Sequence, residues 1–151
     1  MALNIRPANM DDVRTLVVLA CMMMQESPRY QKYTYSPDKA TLVAQILIEK
    51  AFMWVAEIND EIVGFFAGSI DEQVLSRDTY SFDIGIYILP QHRGSRAFMR
   101  LVKAFETWSL TKGVKEICIG VSSEIAPDCV VRMYERLGYK MSSYGLIKAG
   151  N

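Results

Sequence analysis

Tyr87-Ile88-Leu89-Pro90-Gln91-His92-Arg93-Gly94-Ser95-Arg96-Ala97-Phe98 is the stretch on which the fold turns. An apolar run stops at a proline, a basic turn with one glycine follows, and a strongly helical segment runs on to about Lys112, with Gly113 as its C-terminal cap. A helix start of this kind is an anion site. Its first N–H groups have no partner within the helix, and the helix dipole puts partial positive charge there. Gly94 lets the backbone approach a phosphate closely, while Arg93 and Arg96 add charge and forked donors suited to a pyrophosphate. No Gly-Lys-Ser/Thr follows, which excludes a P-loop, and the three spaced glycines of a dinucleotide fingerprint are missing. Arg100 and Lys103, at helical spacing, read as the solvated face of a helix whose Ala97, Leu101, Ala104, Phe105 and Trp108 point to a core.

Working outward, Thr79 to Leu89 reads as a strand in which Phe82, Ile84, Ile86 and Ile88 share one buried face. Before it, Phe52 to Ile58 and Glu61 to Ile70 are β-rich runs joined by Asn59-Asp60, a hairpin signal. Leu3 to Arg6 is a short first strand ended by Pro7. Asn9 or Asp11 caps a helix through Met24 that stops before Pro28, and Ser36 caps a second, with Pro37 at its first position, running to Lys50. Beyond the turn, Lys115 to Val121 is an apolar strand and Pro127 to Leu137 a helix closed by Gly138. Tyr139 to Met141 and Leu146 to Lys148 complete the chain as two short strands. The expected class is α/β (α+β): a mixed, mostly antiparallel sheet flanked by about four helices, in a single domain over residues 1–151.

Half the residues are hydrophobic, which excludes a disordered chain. Seventeen basic residues balance seventeen acidic ones, so no global field draws in nucleic acid or an anionic membrane. Within Gln91 to Lys112, however, five cations face one acid, a net of plus four that the rest of the chain offsets. Cys21, Cys118 and Cys129 are widely spaced and His92 is the sole histidine, which argues against a disulfide framework and a metal site. The longest uncharged run near the N-terminus, Thr15 to Gln25, falls short of the roughly 18 residues of a membrane span. A soluble, cytoplasmic protein is expected.

The run from Tyr87 to Phe98, followed by a helix and then Met133-Tyr134-Glu135-Arg136-Leu137-Gly138-Tyr139, resembles the GNAT superfamily of acetyl-coenzyme A-dependent N-acetyltransferases. Asn4-Ile5-Arg6-Pro7-Ala8 with Asp11-Asp12 is similar to the family's opening, and Glu26-Ser27-Pro28-Arg29-Tyr30 and Arg93-Gly94-Ser95-Arg96 are similar to small bacteriophage-type members. The resemblance implies that the backbone of Tyr87, Ile88 and Leu89 holds the pantetheine arm of acetyl-coenzyme A. It places the pyrophosphate on the amides of Arg93, Gly94, Ser95, Arg96, Ala97 and Phe98, and makes Tyr134 the catalytic acid that protonates the departing thiolate. Two positions of the turn depart from the family pattern. Arg96 stands at the second glycine, and Phe98 at the third small residue, where its ring is expected to crowd the pyrophosphate, so that Phe98→Gly tightens binding. Pro127 replaces a frequent Asn.

The implied reaction is direct attack of a primary amine, of a small molecule or a protein, on the acetyl thioester in a ternary complex. A GNAT-shaped binding module acting through a protein partner is the alternative. Asp83, Glu57 and Glu26 are the candidate bases, with a water chain beside them. The segment from Ser27 to Ser36 carries three tyrosines and two basic residues but no acid, which disfavours a polycationic acceptor such as an aminoglycoside. A small sheet protein of this kind is open to homodimerisation.

Overall fold

The computed structural model describes residues 2–150. Five strands form one sheet in sequence order: β1 (Leu3–Pro7), β2 (Phe52–Ile58), β3 (Glu61–Glu72), β4 (Thr79–Ile88) and β5 (Glu116–Cys118). The first four pair antiparallel, and β5 joins β4 in parallel. That junction is parallel because α3 (Ala97–Thr111) makes the crossover between them. α1 (Val13–Glu26) and α2 (Pro37–Lys50) cover the opposite face, and α4 (Pro127–Arg136) follows β5.

Local chemistry sets the element ends. Ser36 Oγ accepts the Lys39 N–H at 3.3 Å, with Pro37 at the first helical position of α2. Asn59 and Asp60 both adopt positive φ, 52° and 64°, the mirror-image turn that matches strand twist in a two-residue hairpin. Because helices cover both faces, β2 and β3 are buried almost continuously. On one face Phe52, Phe66, Leu101 and Phe105 build an aromatic core, with Phe66 and Phe105 stacked at 4.5 Å between centroids. On the other, Leu16, Leu19 and Leu47 pack on Met53, Val55 and Phe65.

Three expectations are corrected. Ile84 does not continue the buried stripe of β4. The register shifts between Ala67 and Gly68 of β3, so Ile84 is an extra residue in β4, and it is exposed. β5 is only three residues long, ending at Cys118 rather than Val121. Tyr139 to Met141 and Leu146 to Lys148 form no strands: Tyr144 and Leu146 are 89% and 97% exposed, and no strand edge receives this segment's amides.

Arg6 on β1 anchors the entry to α1. Its guanidinium is bidentate to Asp12, at 2.7 and 2.9 Å, and also bonds Glu57 of β2. The hydrogen bond from Arg6 holds the buried Asp12 carboxyl below the ordinary carboxylate range, against the opposing effect of burial. A carboxyl depressed on folding stabilises the protein above its unfolded pKa, and that contribution is lost as the pH falls from about 4 through the folded value. Arg6→Met is therefore expected to cost about 2 kcal/mol at pH 7, and less at pH 3, where wild type has begun to lose the same contribution. Urea unfolding at the two pH values reads the difference.

Candidate active site

β4 and β5 part company early. Their pairing covers Tyr80, Ser81 and Phe82 against Glu116, Ile117 and Cys118, after which β4 continues to Ile88 without that neighbour. Asp83 stands where the gap begins and bridges it, accepting the Gly120 N–H at 2.9 Å. Burial raises the Asp83 carboxyl above its usual range, with the Gly120 amide opposing. At the far end of β4 the Leu89 N–H bonds the Val63 carbonyl at 2.8 Å on the β3 side. The alternation of an antiparallel ladder therefore turns the Ile88 N–H the other way, into the gap.

The basic turn closes the same end. A 3₁₀ turn over Pro90–His92 leads to Ser95, whose hydroxyl donates to His92 O at 2.6 Å and accepts the Ala97 N–H at 3.2 Å, fixing the start of α3. Among the described residues the N–H groups of Gly94, Arg96, Phe98 and Met99 meet no protein acceptor. A Cβ built on Gly94 meets no atom within 4 Å, and the Gly94 backbone does not need positive φ. The fold itself places no demand for glycine there; the bare backbone leaves open space in front of unpaired donors.

The Arg93 side chain does not reach toward that space. It is bidentate to Glu26 at the end of α1, at 2.6 and 2.8 Å, and donates through Nε to Ile88 O at 2.9 Å. Tyr87 completes the tie, donating its hydroxyl to Glu26 at 2.9 Å. The Arg93 hydrogen bond keeps Glu26 ionised below its ordinary range, and the Tyr87 phenol is pushed up to about 12, by burial first and then by Glu26. This tie joins residues 67 apart in sequence, and no local pattern signals it. Arg96 is exposed beside the turn.

Phe98 departs from expectation in direction. Its ring packs edge-on against Tyr134, with centroids 5.2 Å apart, and belongs to the α3 core rather than lying over the turn. Truncation to Gly therefore opens a void beside Tyr134 instead of clearing room for an anion. Tyr134 on α4 is 4% exposed and also packs against Tyr139 at 5.4 Å, and among the described residues its buried hydroxyl has no hydrogen-bond partner. Burial, with the nearby Asp83 charge, raises the Tyr134 phenol far above its ordinary value. Of the candidate bases, Glu57 is held by Arg6 and Glu26 by Arg93, which leaves Asp83 beside the gap and near Tyr134. The Cys118 thiol is pushed up by burial and by Glu116, which suits a packing residue better than a nucleophile.

The segment between α1 and α2 arches over to the loop before α4. Ser27 Oγ donates to Ser123 O, and the Tyr30 hydroxyl bonds Ser122 Oγ at 2.7 Å. These serine contacts, invisible to local pattern, tie the segment to the loop before α4.

Residues 20–139 match the model of the acetyltransferase (GNAT) family. The chain belongs to the GNAT acetyltransferase family. No curated protein sequence matches it. Among solved structures, the GNAT fold here is similar to AAC(6')-Iy in complex with a bisubstrate analogue, CoA-S-monomethyl-acetylneamine. That pair has a TM-score of 0.80 at 17% identity, covering 100% of this chain and 99% of the other. The aminoglycoside 6'-N-acetyltransferase AAC(6')-Ih of Acinetobacter baumannii gives 0.76 at 18% identity, covering 99% of each chain. A protein described as a transcriptional regulator from Bacillus halodurans C-125 gives 0.75 at 22%, covering 98% and 99%.

The GNAT co-substrate, acetyl-coenzyme A, suits what the site offers. Unpaired amides beside Gly94 suit an anionic pyrophosphate, and the β4–β5 gap suits a slender arm. No helix among the described residues is long and apolar enough to cross a membrane.

Proposed function

We propose that the protein transfers an acetyl group from acetyl-coenzyme A to a primary amine, of a small molecule or a protein, by direct attack in a ternary complex. The observation that carries this reading is the set of unpartnered N–H groups at Gly94, Arg96, Phe98 and Met99, together with the β4–β5 gap at Asp83, whose charge acts on the buried Tyr134. When bound, acetyl-coenzyme A supplies a thioester carbonyl open to attack by an amine.

The chain's own residues then have separate tasks. The free amides of Gly94, Arg96, Phe98 and Met99 take the pyrophosphate charge, with Arg96 adding positive potential and Arg93 holding the turn against α1 and β4. The backbone of Tyr87, Ile88 and Leu89 lines the arm, and the Ile88 N–H, turned into the gap, donates to the oxygen that gains negative charge. Tyr134, kept protonated by burial, delivers its proton to the departing sulfur. Asp83, its carboxyl raised by burial, accepts a proton on the amine side, directly or through water.

Gly94→Glu tests the turn. Because nothing lies within 4 Å of the Cβ position, the substitution is expected to leave the unfolding midpoint unchanged. A carboxylate in front of the free amides is expected to weaken acetyl-coenzyme A binding by about 30-fold or more, measured by calorimetry. Unchanged affinity removes the turn from the site.

A further inference from the structure

A cavity of about 310 Å³ lies on the α1–α2 side of the sheet, between Ala20 and Met23 of α1, Ala40 and Val43 of α2, and Phe65 of β3, with Tyr35 of the connecting segment closing one wall. Its floor includes Ile84 and Gly85 of β4, the bulge residue and its neighbour, one step past Asp83 and just before Tyr87. The cavity therefore meets the strand from the side opposite α3 and reaches it where β4 and β5 separate. Gly85 has no positive φ, and the atoms nearest a Cβ there belong to Met23 and Phe65, at 3.5 to 3.9 Å. Tyr35 is fixed by a 2.6 Å hydrogen bond from its hydroxyl to Val17 O, which sets the wall in place.

Charge decides what such a cavity admits. Among the described residues no carboxylate lines it, and Lys39 is the sole charged one that does. A polycation would leave several ammonium groups facing apolar carbon with a lysine at the rim, at a heavy desolvation cost. An apolar body gains by entering, at about 25 cal/mol per Å² removed from water. The size suits a ligand of ordinary small-molecule dimensions, near the lower bound of roughly 300 Å³ for such pockets.

We propose that this cavity seats the acceptor, and that the acceptor is a monoamine on an apolar body, an arylalkyl amine in chemical class. This deepens the acetyltransferase reading and rests on it for the direction of transfer, while the cavity's binding preference can be read alone. The apolar surroundings also favour the uncharged amine, the form that attacks, over the ammonium.

The test titrates the free protein calorimetrically with phenethylamine and, separately, with the polycationic aminoglycoside kanamycin. Wild type is expected to bind phenethylamine at least tenfold more tightly than kanamycin. Ala20→Phe fills the cavity from α1 and is expected to weaken phenethylamine at least tenfold, with acetyl-coenzyme A affinity and the unfolding midpoint unchanged. Ala40→Phe does the same from α2 and decides the matter if Ala20→Phe fails to fold. Kanamycin binding as tightly as phenethylamine, or phenethylamine affinity within twofold of wild type in the folded variants, overturns the proposal. Failure of acetyl-coenzyme A to bind, with phenethylamine still bound, contradicts the acetyltransferase reading and leaves the cavity assignment standing.

Discussion

Tyr134→Phe is expected to lower kcat by about 10²-fold or more while leaving acetyl-coenzyme A affinity within a few-fold of wild type. A structural tyrosine predicts the opposite pattern, because removing a hydroxyl that supports the core costs stability. Here the hydroxyl is buried without a partner, so the folded state loses no hydrogen bond when it goes. A buried polar atom without a partner costs roughly 1–3 kcal/mol, which makes the variant's stability equal to wild type or higher. The ring contacts with Phe98 and Tyr139 are kept. Falling turnover at constant or rising stability is the mark of a group held for chemistry at some cost to the fold. A variant that turns over as fast as wild type takes Tyr134 out of the mechanism.

Gly64→Ala carries the largest expected effect on the fold. Gly64 of β3 faces Ile88 of β4 across the sheet. A Cβ there would sit 2.5 Å from Ile88 Cδ1 and 2.7 Å from the Tyr87 carbonyl oxygen. A side-chain methyl can swing aside, but a backbone oxygen in the middle of a sheet cannot, so β4 itself has to shift. Overpacking of this kind costs about 1–3 kcal/mol, and the upper end applies because the displaced atom is backbone. The same shift moves Tyr87 and Ile88 in the stretch proposed to hold the pantetheine arm. Denaturant unfolding is expected to show the loss of stability, and calorimetry a weaker acetyl-coenzyme A affinity in the fraction that remains folded. An unchanged unfolding midpoint means that β3 and β4 accommodate the methyl and that their close approach is not what fixes the strand.

Elements with strong local chemistry are legible in the sequence. Ser36 and Pro37 place the start of α2, Asn59-Asp60 bends into the hairpin, and the apolar run ending at Pro90 leads through the basic turn into α3. The unpaired amides beside Gly94 follow from that last feature, since any helix start leaves them. What sequence could not convey depends on distant parts of the chain. Ile84 fits an alternating pattern perfectly well and is displaced from it by a register shift that involves β3. Arg93 reads as a phosphate ligand until Glu26 arrives from α1 to claim its guanidinium. Phe98 reads as an obstruction because its helical position leaves two directions open, and packing against Tyr134 selects the inward one. The terminal apolar residues alternate like strands, but a strand exists only where an edge receives it.

The most direct measurement is an amide proton–nitrogen correlation spectrum recorded as acetyl-coenzyme A is added to the wild-type protein. The N–H signals of Gly94, Arg96, Phe98 and Met99 are expected to move together and saturably, with that of Ile88, as they gain acceptors. Those of the Asn59-Asp60 turn, at the hairpin between β2 and β3, are expected to stay in place. Shifts that leave the Gly94 to Met99 amides untouched, or no shift at all at millimolar acetyl-coenzyme A, would contradict the assignment of this turn as the co-substrate site.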